Sequence, residues 1–172
     1  YMIKEIENRR SIRKYKRHEI SKEIIEDIIY SATLAPSAKN RQPWKFIVYQ
    51  GEEKSKLVDV MCQGIKSEKI THKLMPEWAF AIPDAENTVR VMEEAPCLIV
   101  VLNTNQKTPF DSIEDEKRIV EICDSLSIGA AIENHYTVDL TDRFDQSIRI
   151  KLHNNGNREN FHFFHWKSTG NF

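Results

Sequence analysis

Arg9, Arg10, Ser11 and Arg13 place three cations and a hydroxyl within five residues. Guanidinium groups beside a hydroxyl suit a phosphate. A second segment runs Ala35-Pro36-Ser37-Ala38-Lys39-Asn40-Arg41-Gln42-Pro43-Trp44. There Ser37, Asn40 and Gln42 offer hydroxyl and amide groups on a loop stiffened by Pro36 and Pro43. Such donors can orient a flat polar heterocycle through its nitrogens and carbonyls. A phosphate grip followed by a heterocycle grip reads as a mononucleotide cofactor site. Each segment also has a plainer reading. The basic cluster can be a solvated turn between two helices. The second can be an ordinary loop, with Ser37 and Asn40 closing turns and Trp44 filling core. Neither segment alone separates the two readings.

Both geometries open to the first segment allow convergence. On a helical turn, Arg9 and Arg13 are four apart and share a face. In an extended chain, Arg9, Ser11 and Arg13 share a face by period two. Other chemistries find less support. The five glycines are isolated, so there is no Gly-rich phosphate loop and no dinucleotide fingerprint. His153, His162 and His165 have no thiolate or acidic ligand at metal spacing beside them, and no metal site is assigned. No serine or cysteine sits in a nucleophile elbow.

The elements that must position these groups follow from periodicity. Met2 to Asn8 is expected as a short helix. Ser21 is a plausible N-cap for a helix to about Leu34, with Ile24, Ile25, Ile28, Ile29 and Ala32 as its apolar stripe. Phe46 to Tyr49 reads as a strand. Glu52 to about Ile65 reads as a helix with Leu57, Val60 and Met61 on one face. Lys66 to Asp84 reads as an irregular apolar loop or lid, whose Trp78 and Phe80 can stack on a planar substrate or pack in a core or interface. Val89 to Glu94 is expected as a turn or two of helix, and Cys97 to Leu102 as a buried strand. Ser112 to about Asn134 is a long helix with Ile119, Ile122, Cys123, Leu126, Ala130 and Ala131 inward. Ser147 to Leu152 and Phe161 to Trp166 suggest a terminal hairpin about Asn154-Asn155-Gly156-Asn157.

Composition bounds the class. The 172 residues are 40% apolar and 30% charged, which suits one globular domain with a real core. A net charge of −1 points away from nucleic acid and from an acidic membrane surface as partners. No apolar run approaches the roughly 20 residues needed to span a bilayer, and no signal-peptide pattern opens the chain. Cys62, Cys97 and Cys123 are odd in number and widely spaced, which argues for a reducing, cytoplasmic setting.

Taken in order, the two segments resemble the nitroreductase family of flavin-mononucleotide (FMN) oxidoreductases. Glu94-Ala95-Pro96 leading into Cys97 to Leu102 is similar to the family's next core strand. Ser125 to Asn134 is similar to its long central helix. The resemblance covers about Met2 to Asn134. It implies an α+β, three-layer sandwich with a central, mostly antiparallel sheet flanked by helices. It implies a homodimer with FMN in the interface. Arg9, Ser11 and Arg13 would hold the phosphate and ribityl chain, with Arg10 beside the ring. Pro36, Ser37, Ala38, Asn40 and Gln42 would contact the flavin, partly from the other subunit. Electrons would pass from NAD(P)H through the flavin to a nitroaromatic, quinone or similar small-molecule acceptor by a ping-pong mechanism. No side chain is needed as a nucleophile, so no catalytic residue is assigned.

The chain is read as one domain, 1–172, with a family-like core over 2–134 and a divergent tail over 135–172. The tail opens His135-Tyr136-Thr137-Val138-Asp139 and lacks the Gly-rich turn that the family places after its central helix. A reading-frame shift or truncation just after Asn134 is the expectation. A remnant that folds and self-associates, binding flavin weakly or not at all, is the alternative to an active enzyme.

Overall fold

A computed structural model describes residues 7, 13–16, 19–72, 80–105, 112–139 and 148–154. The expected helix over Met2 to Asn8 and the second hairpin strand, Phe161 to Trp166, lie outside the described residues.

Helix α1, Lys22–Thr33, starts where Ser21 caps it, the hydroxyl accepting from Ile24 N at 3.5 Å. Ile25, Ile28 and Ala32 form its buried stripe. A short 3-10 turn, Ala38–Asn40, leads to strand β1, Trp44–Gln50. Helix α2, Gly51–Thr71, follows β1 with no intervening loop. That sharp change of direction puts Gly51 at φ +51°, which glycine adopts without a Cβ clash. Helix α3, Ile82–Glu94, has Pro83 in its first turn, where a missing N–H costs nothing. Strand β2, Cys97–Asn103, helix α4, Asp115–Asp139, and strand β3, Ile148–Asn154, complete the described order.

The sheet order is β1-β2-β3. β1 runs antiparallel to β2, pairing Trp44 with Asn103 and Gln50 with Cys97. β3 runs parallel to β2, pairing Ile148 with Cys97 and Asn154 with Asn103. All seven β2 residues are buried, as a central strand covered on both faces requires. Its Cys97, Ile99 and Val101 face one cluster with Ile25, Ile28, Trp44, Ile128 and Ala131. Its Leu98 faces another with Val58, Met61, Ile65, Val89 and Met92. The layers are therefore α1 with α4, the sheet, and α2 with α3, which is the α+β sandwich expected from the resemblance.

Several local expectations need correction. The stretch from Lys66 is helical through Thr71, and α3 begins at Ile82, well before Val89. Paired faces explain this: Ile65 of α2 and Ala85 and Val89 of α3 share one cluster. On α2 the buried residues are Val58, Met61 and Ile65, while Val60 is exposed. On α4 the phase differs more. Asp124, Ser127, Ile128 and Ala131 are buried, whereas Ile119 and Leu126 are 69% and 70% exposed. Two stripes compete on that helix, and the inner one is partly polar because a loop docks on it.

Candidate functional site

That loop is Pro36 to Pro43. Its backbone is unusual: Lys39, Asn40 and Gln42 have φ of +54°, +52° and +48°. None is glycine, and each such residue is disfavoured by a Cβ–carbonyl clash. Internal bonds define the shape. Asn40 N donates to Ser37 O at 2.9 Å and Arg41 N to Ala38 O at 3.2 Å. Gln42 N donates to Ser37 Oγ at 3.1 Å, and Gln42 Nε2 to Asn40 Oδ1 at 3.3 Å.

Two further bonds tie the loop to α4. Ala38 N donates to Ser127 Oγ at 3.3 Å, and that hydroxyl donates to Cys123 O at 2.6 Å. Arg41 Nε and Nη2 both donate to Asp124 Oδ1, at 2.9 and 2.7 Å. The Asp124 side chain is only 5% exposed and that of Arg41 31%. At its far end the loop meets β2, where Thr104 N donates to Pro43 O at 3.0 Å. Buried Asn103 closes the same corner by accepting from Asn105 N.

The plainer reading of the loop is thus partly correct: Ser37 and Asn40 do close turns. They do so without exhausting their capacity. The Ser37 hydroxyl hydrogen, the Asn40 amide hydrogens and Gln42 Oε1 have no partner among the described residues. Asn40 and Gln42 are exposed, Pro36 is exposed, and Ser37 and Ala38 are half-buried. The loop therefore carries the exposed Asn40 and Gln42 amides and the half-buried Ser37 hydroxyl on a fixed backbone, a set of donors and acceptors that fits a flat heterocycle. Of the cationic segment, Arg13 is exposed and lies outside helix and strand. Arg9, Arg10 and Ser11 lie outside the described residues.

Arg41, Asp124 and Ser127 were not singled out by sequence reasoning. Their signal was present as two polar residues, three apart, interrupting the apolar pattern of a long helix.

A cleft of about 850 Å³ lies elsewhere, lined by Ile20, Gln50, Lys54, Arg90, Glu94 and Pro96. Gln50 ends β1 and Trp44 begins it, so the cleft sits about 20 Å from the loop along the strand. Its cations are engaged. Lys54 Nζ donates to Glu93 O and Ala95 O, both at 2.8 Å, capping α3. Burial pulls the Lys54 ammonium below its ordinary value, with Glu93 partly opposing. Arg90 holds Glu94 and Asn87. Burial pushes the Cys97 thiol up to about 12, which makes it a structural group.

The family model for the nitroreductase family matches residues 6–142. A protein of Methanothermobacter thermautotrophicus, provisionally named an NADH dehydrogenase/NAD(P)H nitroreductase, is 42% identical over 155 residues. That match covers 87% of this chain and 68% of the relative. The chain belongs to the nitroreductase family. Within that family its likeness reaches proteins with other names. An iodotyrosine deiodinase of Hydra vulgaris is 30% identical over 142 residues, covering 77% of this chain and 51% of the relative. A solved nitroreductase with bound FMN from Desulfitobacterium hafniense superposes with a TM-score of 0.54 at 21% identity. It covers 80% of this chain and 63% of that one, and establishes the shared fold. This nitroreductase-family chain thus spans about half to two thirds of the length of these relatives.

Proposed function

We propose that this chain is an FMN-dependent oxidoreductase, taking electrons from NAD(P)H and passing them to a nitroaromatic, quinone or similar acceptor by a ping-pong cycle. The observation that carries this is the Pro36–Pro43 loop, fixed with Lys39, Asn40 and Gln42 left-handed and with the Asn40 and Gln42 amides exposed. In support, a structural relative holds FMN, and the cationic segment fits its phosphate. When bound, the flavin supplies the redox chemistry. Pro36, Ser37, Ala38, Asn40 and Gln42 orient the ring and ribityl chain. Arg9, Ser11 and Arg13 take the phosphate, and Arg10 lies beside the ring. No side chain serves as acid, base or nucleophile.

The functional unit proposed is a homodimer. Ile119, Ile122 and Leu126 lie at i, i+3 and i+7 on the outer face of α4, and all are exposed. An apolar stripe of this kind suits a second copy of the chain. The setting proposed is the cytoplasm, supported by three cysteines outside any disulfide. Among the described residues, no helix is long and apolar enough to cross a membrane. The tail over 135–172 is proposed to include the product of a shift of reading frame, supported by its change of composition. Because the family match runs to residue 142, the shift is placed beyond that residue and not directly after Asn134. A family-like, Gly-rich continuation in another frame of the gene is the expected finding.

The likeness to iodotyrosine deiodinases favours a second reading, reductive removal of halide from a halogenated phenol on the same cofactor. One experiment tests these readings. The purified chain is mixed with FMN, desalted and scanned in the visible. A retained flavin spectrum is expected, followed by NAD(P)H oxidation with a quinone or nitroaromatic. Halide release from iodotyrosine without that turnover would favour the second reading. A colourless protein after desalting would overturn both and leave a folded remnant of the family.

A further inference from the structure

Three left-handed, non-glycine residues within four positions do not persist in a free loop. Something outside the loop must over-determine them. Two contacts with α4 do so, bracketing Lys39 and Asn40 and holding Arg41, the residue just before Gln42. Ser127 takes Ala38 N on one side of Lys39 and Asn40. Asp124 takes both Nε and Nη2 of Arg41 on the other. Asp124 and Ser127 are three apart, so one face of α4 presents both. Ile128 and Ala131 continue that face into the cluster that holds Trp44, the first residue after the loop and Pro43. The helix therefore fixes the loop at Ala38, at Arg41 and, through the core, at Trp44.

None of these anchors needs to meet the ligand. Asp124 is buried, and Ser127 spends its hydroxyl hydrogen on Cys123 O. We infer that Asp124 and Ser127 are positioning residues, acting through Arg41 and Ala38 to hold the polar groups of Ser37, Asn40 and Gln42 in their binding arrangement before any cofactor arrives. The inference rests on the flavin reading of the loop. Its physical content is preorganisation: a loop that samples other shapes binds in proportion to its competent fraction.

The test uses the full chain with Arg41→Ala, Ser127→Ala and Asp124→Asn, and Ser21→Ala as a control. Ser21 caps α1 and lies outside the loop and its anchors. Each protein is titrated with FMN, followed by quenching of flavin fluorescence, and its unfolding midpoint is measured without FMN. Amide hydrogen exchange of the FMN-free protein reports the loop directly at Asn40, Arg41 and Gln42, whose N–H groups are all bonded within it. Arg41→Ala and Ser127→Ala are expected to speed exchange at those amides and to weaken FMN by about ten-fold or more. Ser21→Ala is expected to lower the unfolding midpoint and leave the FMN dissociation constant unchanged. Ser127→Ala removes a neutral hydroxyl and leaves the Arg41–Asp124 pair intact, so it keeps the test open even if Arg41→Ala, which strands the buried Asp124 carboxylate, or Asp124→Asn does not fold. Unchanged FMN affinity and loop exchange in the anchor variants would overturn the positioning role while leaving the flavin reading intact. Failure of the unsubstituted chain to take up FMN would overturn the flavin reading, and this inference with it.

Discussion

At the residue scale, the clearest contrast is between cysteines. Cys97 is wholly buried in β2, whereas Cys62 and Cys123 are half-buried. An unfolded thiol ionises near 9.0, while the folded Cys97 keeps its proton to about 12 because burial disfavours the thiolate. Between those values the native state binds more protons than the unfolded chain. Stability contributed by Cys97 is therefore full below the lower value and is lost as pH rises toward the upper one. Iodoacetamide at mildly alkaline pH should label Cys62 and Cys123 well before Cys97, read by peptide mass spectrometry. Equal rates at all three sites would show that β2 opens on the labelling timescale. The basic and polar residues of the site were legible as types at this scale. Their pairing was not, because Arg41 and Asp124 are far apart in sequence and meet only after the helix docks.

At the element scale, the loop stores conformational strain that one substitution can relieve. Lys39 sits at φ +54° and is exposed. Glycine removes a left-handed penalty of about 1–2 kcal/mol. It also adds freedom to the unfolded chain, at a cost of about 0.4–1 kcal/mol. The first effect is larger, so Lys39→Gly should stabilise the protein by up to about 1 kcal/mol in urea unfolding. Lys39→Val, with its branched Cβ, should destabilise it by a similar amount or more. A stabilised valine variant would contradict the loop geometry. Helix α1 was readable almost to the residue, since its cap and its stripe agree. Helix α4 was not. Its outer isoleucines and leucine imitate a core stripe, and its true inner face includes an aspartate and a serine.

At the scale of the whole molecule, the sheet is covered on both faces, and the outer face of α4 remains apolar. Leu126 is 70% exposed in the single chain. A second copy seated there would shield it. Leu126→Glu should therefore convert a dimer into a monomer in sedimentation, with far-ultraviolet circular dichroism unchanged, because the residue contributes nothing to the monomer core. A monomeric parent protein would remove the basis for the proposed interface. The parallel pairing of β3 with β2 also belongs to this scale. Ser147 to Leu152 was recognisable as a strand from its alternation, but alternation says nothing of which strand it joins.

By itself, the sequence determined most element types, though not the helical ends of the stretch from Lys66 to Asp84, together with the α1 cap, the buried central strand and the two polar segments. These depend on neighbours a few residues apart, and periodicity and capping report such neighbours. Tertiary structure alone decided the inner face of α4, the pairing of β3 and the anchoring of the loop by Asp124 and Ser127. Each of these depends on groups distant in sequence, where burial and hydrogen-bond partners are set by docking and not by local pattern.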